Sequence, residues 1–134
     1  MPAGYSGTPL GKKLGFKAGA ALWAVGTPPS VRAEIEETVA PAYVAHPIKG
    51  LAGAHLFHVR AAKLAADLTK LRPLLAPEGM IWVSWPKKAA KVETDITEDV
   101  IRALALRMGY VDVKVCAVDA VWSGLKLVIR KSGR

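Results

Sequence analysis

The chain has 134 residues, of which 19 are lysine or arginine and 11 are acidic, so its formal net charge at pH 7 is +8. Hydrophobic residues make up 51% and charged residues 22%, which is ordinary for one globular domain spanning residues 1–134 and excludes a disordered chain, a coiled coil and a collagen-like rod. The single cysteine, Cys116, excludes an intrachain disulfide and any metal site built on several cysteines, and it favours a cytoplasmic protein. No apolar run approaches the roughly 18 to 20 residues of a membrane span, so we predict no membrane partner.

The first 19 residues predict an N-terminal arm or cap around a short helix. Thr8 is its expected N-cap, Pro9 its first residue and Gly15 its end. Residues 20–25 are apolar on both sides, which is typical of a central strand covered on both faces. A turn over residues 26–30 then leads into a short helix, and a brief second strand is expected shortly after it.

The middle of the chain predicts two further strands joined by a helix. Residues 54–60 form an apolar strand, and residues 61–75 form a helix with leucines on one face and Asp67 among its exposed residues. A tight turn at residues 76–79 leads into another apolar strand, residues 80–85. Strands separated by helices in this way form parallel crossovers.

The last third predicts a helix followed by a hairpin. Asp95 is the expected N-cap of the helix, and Gly109 follows its end. Apolar and charged residues then alternate over residues 111–115 and 125–130, which predicts an antiparallel pair with its turn near residues 122–124. The predicted fold class is therefore α/β, a single-domain Rossmann-like protein with a mostly parallel sheet and a C-terminal antiparallel hairpin.

The elements from His55 onward, with the segments LRPLLAPEGMIWVSW, GYVDVKV and WSGLKLVIRK, resemble the C-terminal half of the Rossmann-like S-adenosylmethionine (SAM) methyltransferases. This resemblance implies a truncated, methyltransferase-like fold whose last strand inserts antiparallel. SAM binding needs a glycine-rich turn after the first strand and usually an acid at the end of the second. Here Gly26 is followed by a threonine and two prolines, and the second strand ends without a carboxylate. We therefore predict that SAM does not bind.

Four blocks in order, YSGTPL.KKLG, W.SWPKK, TDITEDVIR and VDVKVCAVD..WSGLKLV, resemble a family of short bacterial proteins filed as a domain of unknown function. This resemblance covers nearly the whole chain, and it implies a bacterial protein and no particular activity. Similar proteins often carry an acidic pair after the aspartate that matches Asp119, whereas Ala120 and Val121 follow it here. We therefore assign Asp119 no catalytic role.

No constellation of catalytic or metal-binding residues is visible in the sequence. His55 and His58 lie three residues apart on a predicted strand, so they point to opposite faces and cannot share a metal ion. Cys116 lies in an apolar strand without a nearby histidine, which favours a buried, inert thiol. The sequence therefore predicts no catalytic residue, no metal and no cofactor.

Ligands of an open α/β sheet bind beyond the carboxyl ends of its strands, near the point where the strand order reverses. The residues expected at those ends are hydroxyl-bearing, aromatic or basic: Thr27, Ser30, His58, Arg60, Trp85, Lys87 and Lys88. Three of them carry a fixed positive charge, and Asp95 is the only carboxylate expected beside them, which favours an anionic ligand. The alternative interpretation is that Trp85 packs in the core and that the lysines form a solvated surface.

The main functional prediction is a non-catalytic binding or interaction module for an anionic small molecule or nucleotide. One alternative is a weak, sequence-independent nucleic-acid binder, because the net charge is +8 and no base-reading motif is visible. A second alternative is a degenerate or divergent SAM-dependent methyltransferase. A homodimer is also predicted, because the alternating hairpin brings Trp122 towards a sheet edge with apolar side chains.

Overall fold

The computed structural model describes residues 7–131, which form one six-stranded sheet with helices on both faces. The elements in chain order are α1 (Leu10–Leu14), β1 (Ala21–Val25), α2 (Pro29–Glu36), β2 (Ala42–Tyr43), β3 (Leu51–Phe57), α3 (Ala61–Leu71), β4 (Leu75–Pro86), α4 (Glu98–Arg107), β5 (Tyr110–Ala117) and β6 (Trp122–Ile129). A 3-10 turn, Lys88–Ala90, lies between β4 and α4. No helix within the described residues is both long enough and apolar enough to cross a membrane.

The strand order of the sheet is β2-β1-β3-β4-β6-β5. Strands β1 to β4 are parallel, β6 is antiparallel to β4, and β5 is antiparallel to β6. This arrangement confirms the predicted α/β class and the C-terminal antiparallel hairpin. The strand order reverses between β1 and β3, so an open crevice is expected at the carboxyl ends of these strands.

Helices α3 and α4 cover one face of the sheet and enclose the larger core. The leucines of α3 that share a helical face, Leu64 and Leu68 among them, are fully buried against the strands, as their spacing predicts. Tyr110 at the start of β5 is also fully buried, and its hydroxyl donates a hydrogen bond to the carbonyl oxygen of Leu68 at 2.7 Å. Trp85 belongs to this core as well.

Helices α1 and α2 cover the opposite face, so the predicted N-terminal arm is packed against the sheet from Leu10 onward. Gly15 ends α1 in the left-handed conformation, with φ of 77°, as predicted. The predicted start of α1 is wrong by one residue, because Pro9 has a ψ of 144° and therefore stands outside the helix as its N-cap. The indole N–H of Trp82 on β4 donates to the carbonyl oxygen of Leu14 at 2.6 Å, which fixes the end of α1 on the sheet.

The predicted boundaries around β3 and β4 are wrong in three places. Strand β3 begins and ends three residues earlier than predicted, and α3 ends at Leu71. The predicted turn at residues 76–79 belongs to β4, where Leu75 pairs with Leu51 and Met80 pairs with Gly53. The extra residues bulge between these two pairings. A proline and a glycine that resemble a turn in sequence are thus accommodated inside a strand, because β3 pairs on both sides of them.

The turn of the hairpin lies between β5 and β6 at residues 118–121, so its predicted position at residues 122–124 is wrong. Asp119 forms this turn: its Oδ1 accepts hydrogen bonds from the N–H groups of Val121 at 2.9 Å and Trp122 at 2.8 Å. Gly124 lies inside β6 instead, where a Cβ atom would approach the Trp82 ring to 3.2 Å. The close contact with that ring, and not a turn, explains the glycine.

Candidate functional site

Thr27 and Ser30 lie at the start of α2, directly beyond the carboxyl end of β1. Gly26 has a φ of 68°, and a Cβ atom there would lie 3.0 Å from the carbonyl oxygen of Phe57, so the turn passes close to β3. Pro28 is the N-cap of α2 and Pro29 its first residue, and neither has a backbone N–H. The helix start therefore lacks donors that such a turn usually offers to an anion.

Two hydroxyl groups near the carboxyl ends of β1 and β2 are buried without a hydrogen-bond partner among the described residues: Thr27 Oγ1 and Tyr43 Oη. Tyr43 ends β2, where a ribose-binding acid would stand in a dinucleotide site. The Arg32 guanidinium lies 3.8 Å from the centroid of the Tyr43 ring, and burial raises the pKa of Tyr43. The residues that follow Tyr43 are Val44, Ala45 and His46, so no carboxylate is supplied there. Neither the turn after β1 nor the end of β2 offers the usual contacts of SAM.

His58 follows β3 and is held by α3. Its Nε2 lies 2.6 Å from Asp67 Oδ2, and the side chains of His58 and Asp67 are only 10% and 14% exposed. The prediction that Asp67 belongs to the exposed side of α3 is wrong, because the histidine at the end of β3 lies within reach of this carboxylate. The pair fixes the orientation of the imidazole.

The segment before α4 is tied to the end of β3. Asp95 Oδ1 accepts a hydrogen bond from the N–H of Ala61 at 2.7 Å, so Asp95 supplies an acceptor at the start of α3. Its predicted role as N-cap of α4 is wrong: Thr97 is that N-cap, and its hydroxyl oxygen accepts from the N–H of Val100. Sequence spacing indicates a capping residue, but only the tertiary structure shows which helix start is nearer.

We predict that Asp95→Ala lowers the free energy of unfolding by about 1 kcal/mol, because the first N–H of α3 then loses its acceptor. Asp95→Asn should recover most of the loss, since its amide oxygen can accept the same bond. Asp99→Ala is the matched control, because the Asp99 side chain is 98% exposed. Urea denaturation of the three variants measures the difference. Equal losses for Asp95→Ala and Asp99→Ala would contradict the assignment.

A crevice of about 400 Å³ lies beyond the carboxyl end of β4, and we call it the β4 crevice. Its volume falls within the range of small-molecule sites. It is lined by Trp85, Pro86, Lys87, Lys88, Val92, Thr94, Ile96, Thr97 and Glu98. Lys87 Nζ donates to the carbonyl oxygen of Asp119 at 2.7 Å, whereas Lys88 Nζ has no hydrogen bond or ion pair with any residue from 7 to 131.

The structure brings Trp85, Lys87 and Lys88 together and places the other predicted site residues elsewhere on the same edge. Thr27 and Ser30 follow β1, which is separated from β4 by β3 and so lies about 10 Å away. Arg60 Nη2 lies 3.2 Å from Glu93 Oε1, and both side chains are well exposed, so this ion pair contributes little to stability.

Sequence reasoning missed the apolar wall of the β4 crevice, which consists of Val92 and Ile96. Val92 is 42% exposed although it is apolar. Its position between a lysine-rich segment and the start of a helix was the feature of the sequence that could have indicated a place in the site. No group of three or more His, Cys, Asp or Glu residues within residues 7–131 is arranged to hold a metal ion.

No protein-family model and no curated protein sequence matches the chain. Several solved structures are similar to it in fold. A SAM-dependent methyltransferase from Aquifex aeolicus has a TM-score of 0.62 and 14% identity, over 88% of this chain and 86% of that chain. The Burkholderia thailandensis 1,6-didemethyltoxoflavin-N1-methyltransferase, solved with S-adenosylhomocysteine, has a TM-score of 0.58 and 14% identity, over 91% of this chain and 75% of that one.

A structure described as a pericyclic reaction enzyme is also similar, with a TM-score of 0.59 and 12% identity over 92% of this chain. This chain spans 47% of its length, about half. These likenesses confirm that the fold is Rossmann-like and methyltransferase-like. They extend beyond the part from His55 onward on which the sequence resemblance rests. The resemblance to a domain of unknown function stays a prediction.

Proposed function

We propose that this chain is a divergent relative of the SAM-dependent methyltransferases that binds a small anionic ligand in the β4 crevice. The observation that carries the proposal is that this crevice opens at the carboxyl end of the parallel strand β4, on the edge where open α/β sheets bind ligands and one strand away from the reversal between β1 and β3. Its lining includes Lys88, whose ammonium group has no hydrogen bond or ion pair among residues 7–131. The fold comparisons support descent from the methyltransferases more than they support an unrelated binding module.

The charges around the β4 crevice favour an anion. Lys87 and Lys88 both line it, and Glu98 is the one carboxylate among the described residues that form its lining. Glu98 forms an ion pair with Arg102 one turn further along α4, so its charge is compensated within the helix. Lys87 and Lys88 are then the charges of the lining that no carboxylate within residues 7–131 neutralises.

We predict that replacing Arg60, Lys87 and Lys88 together by alanine weakens binding of inorganic phosphate, citrate or adenosine monophosphate by at least about tenfold. The melting temperature should fall by only a few degrees, because the substitutions break little more than an exposed ion pair and the hydrogen bond from Lys87 to Asp119. The control is Lys12→Ala, Lys17→Ala and Lys63→Ala combined, which removes the same charge from exposed positions. Calorimetry measures the anion binding and the melting temperature of both variants. Equal weakening in the control would show that only the net charge matters.

The comparisons also favour a second function, SAM-dependent methyl transfer, because they include methyltransferases of similar size. The residues of the first turn argue against ordinary SAM contacts, since Pro28 and Pro29 lack N–H groups and β2 ends without an acid. We therefore expect calorimetry with SAM and S-adenosylhomocysteine to show no binding in the low micromolar range. A dissociation constant in or below that range would support the methyltransferase function instead.

Two further proposals remain. Sequence-independent nucleic-acid binding rests on the basic net charge, and a homodimer rests on the hairpin. The structure changes the basis for the dimer. Trp122 is not at a sheet edge but packs edge-on against Phe57, with ring centroids 5.1 Å apart. The edge strand is β5, and its Val113 and Val115 are about half exposed, which leaves apolar surface for a second copy to cover.

A further inference from the structure

We infer that the β4 crevice is built for an aromatic anion, a planar ring that carries a carboxylate, phosphate or sulfonate group. This inference rests on the proposed function and deepens it, because it names the chemical class of the ligand. It combines four features of the crevice: apolar lining residues, lining residues with unused donors, a strained residue in the loop that carries Lys88 and Val92, and a volume within the range of small-molecule sites.

Four apolar residues line the crevice: Trp85, Pro86, Val92 and Ile96. Trp85 and Ile96 are almost fully buried, at 8% and 2% exposure, whereas Val92 is 42% exposed. The valine therefore presents apolar surface to solvent on the crevice that Trp85 also lines. A bound apolar group would remove this surface from water, and aromatic ligands are favoured because they pack against indole in offset or edge-on geometry.

Two of the residues that line the crevice carry donors that the described part of the protein does not use. Lys88 Nζ and the indole N–H of Trp85 have no hydrogen-bond partner among residues 7–131. The other polar groups are used within the protein: the Thr94 hydroxyl donates to the carbonyl oxygen of Val59, and the Thr97 hydroxyl accepts from Val100. The unused groups thus include a positive charge and a neutral donor beside an apolar wall. A ring with an acidic substituent satisfies both, and the lysine can also lie over the ring face.

The loop that carries Lys88 and Val92 contains a strained residue. Lys91 has a φ of 56° and is the only non-glycine residue in the left-handed region among those that the structure describes. It directly follows the 3-10 turn that contains Lys88 and directly precedes Val92. Such conformations cost free energy and are found at ligand-binding loops. Lys88 and Val92, which lie before and after this residue in the sequence, both line the crevice.

The test compares four probes that separate ring, charge and shape. Naphthalene-2-carboxylate is an aromatic anion, decahydronaphthalene-2-carboxylate is a saturated anion of the same skeleton, naphthalene-2-carboxamide is an aromatic neutral molecule, and inorganic phosphate is an anion without a ring. Calorimetry on the intact chain should give the tightest binding for naphthalene-2-carboxylate, by at least about tenfold over each of the others. Chemical-shift changes in NMR spectra should map to the loop between β4 and α4.

Two variants locate the site without disturbing the core, because Lys88 and Val92 are exposed. Lys88→Ala should remove most of the preference for the carboxylate over the carboxamide, while Lys87 keeps its charge and its hydrogen bond to Asp119. Val92→Asp should weaken naphthalene-2-carboxylate by at least about tenfold, because it places a negative charge on the apolar wall. Lys63→Ala and Ile48→Asp are the matched controls at exposed positions outside the crevice, and they should leave binding unchanged.

The outcomes distinguish the inference from the proposed function. If phosphate or the saturated carboxylate binds as tightly as naphthalene-2-carboxylate, and Lys88→Ala weakens both, the crevice binds anions but the aromatic class is wrong. If the neutral carboxamide binds as tightly as the carboxylate in the unaltered protein, the charge is not recognised and the inference fails. If no anion binds to the intact chain, the proposed function fails together with the inference.

Discussion

Replacing Trp82 by alanine should lower the free energy of unfolding by about 3 to 5 kcal/mol, the range for removal of a buried aromatic side chain. Trp82 is fully buried in β4, beneath α1. Its N–H group donates to the carbonyl oxygen of Leu14, and its ring packs closely over Gly124. The alanine variant would therefore leave a cavity and an unpaired carbonyl group. Domains of this size have about 5 to 15 kcal/mol of stability, so the variant would sacrifice a large share of it.

Urea denaturation of the Trp82 variants separates the contribution of the buried ring from that of the hydrogen bond. Trp82→Phe removes the hydrogen bond but keeps most of the ring, and it should cost about 1 to 3 kcal/mol. Trp23→Ala is the matched control, because Trp23 is only partly buried. Its loss should be clearly smaller than that of Trp82→Ala. A similar loss for the two alanine variants would mean that α1 is not held by this tryptophan.

Stability should also fall as the pH is lowered from about 7 to 5, because His55 is buried in its neutral form. The ring is 1% exposed, its Nε2 lies 3.3 Å from Ser84 Oγ, and its other neighbours include the rings of Phe16 and Phe57. Burial lowers the pKa of His55 to about 3. The unfolded chain protonates this group near its ordinary pKa of about 6.5, so between these two values the unfolded state binds more protons.

The expected loss from His55 is about 1.4 kcal/mol per pH unit below about pH 6.5, or about 2 kcal/mol between pH 7 and pH 5. His55→Gln keeps an amide nitrogen near the Nε2 position but does not titrate. Between pH 7 and pH 5, the free energy of unfolding of this variant should therefore fall by about 2 kcal/mol less than that of the wild type. His46→Asn is the control, because His46 is exposed. Urea denaturation at pH 5, 6 and 7 measures all three proteins. The same pH dependence in the wild type and in His55→Gln would contradict the prediction.

The errors in the predicted elements have a common cause. Asp95 has the local signature of an N-cap, yet its carboxylate reaches Ala61, which lies 34 residues earlier in the chain. Residues 76–79 have the composition of a turn, yet they bulge within β4 because β3 pairs on both sides of them. In each case a local preference of about 1 kcal/mol is outweighed by contacts with distant parts of the chain.

The candidate site, too, was predicted only in part from the sequence. Residues that follow each predicted strand were expected at one edge of the sheet, and Thr27, His58 and Trp85 do lie at the carboxyl ends of parallel strands. Their grouping could not be predicted, because it depends on strand order and on which charges find partners. The structure pairs Arg60 with Glu93 and Lys87 with the carbonyl oxygen of Asp119. Within residues 7–131, Lys88 is then the lysine available at the β4 crevice.

Hydrophobic periodicity was enough to predict the α/β class, the parallel strands and the C-terminal hairpin of this protein. Periodicity is set by the covalent order of neighbouring residues, so it is readable along the chain. The bulge in β4, the partner of Asp95, and the crevice shared by Trp85, Lys88 and Val92 became visible only in the folded chain. These features depend on contacts between residues far apart in sequence, whose energies come from burial and pairing that no local pattern encodes.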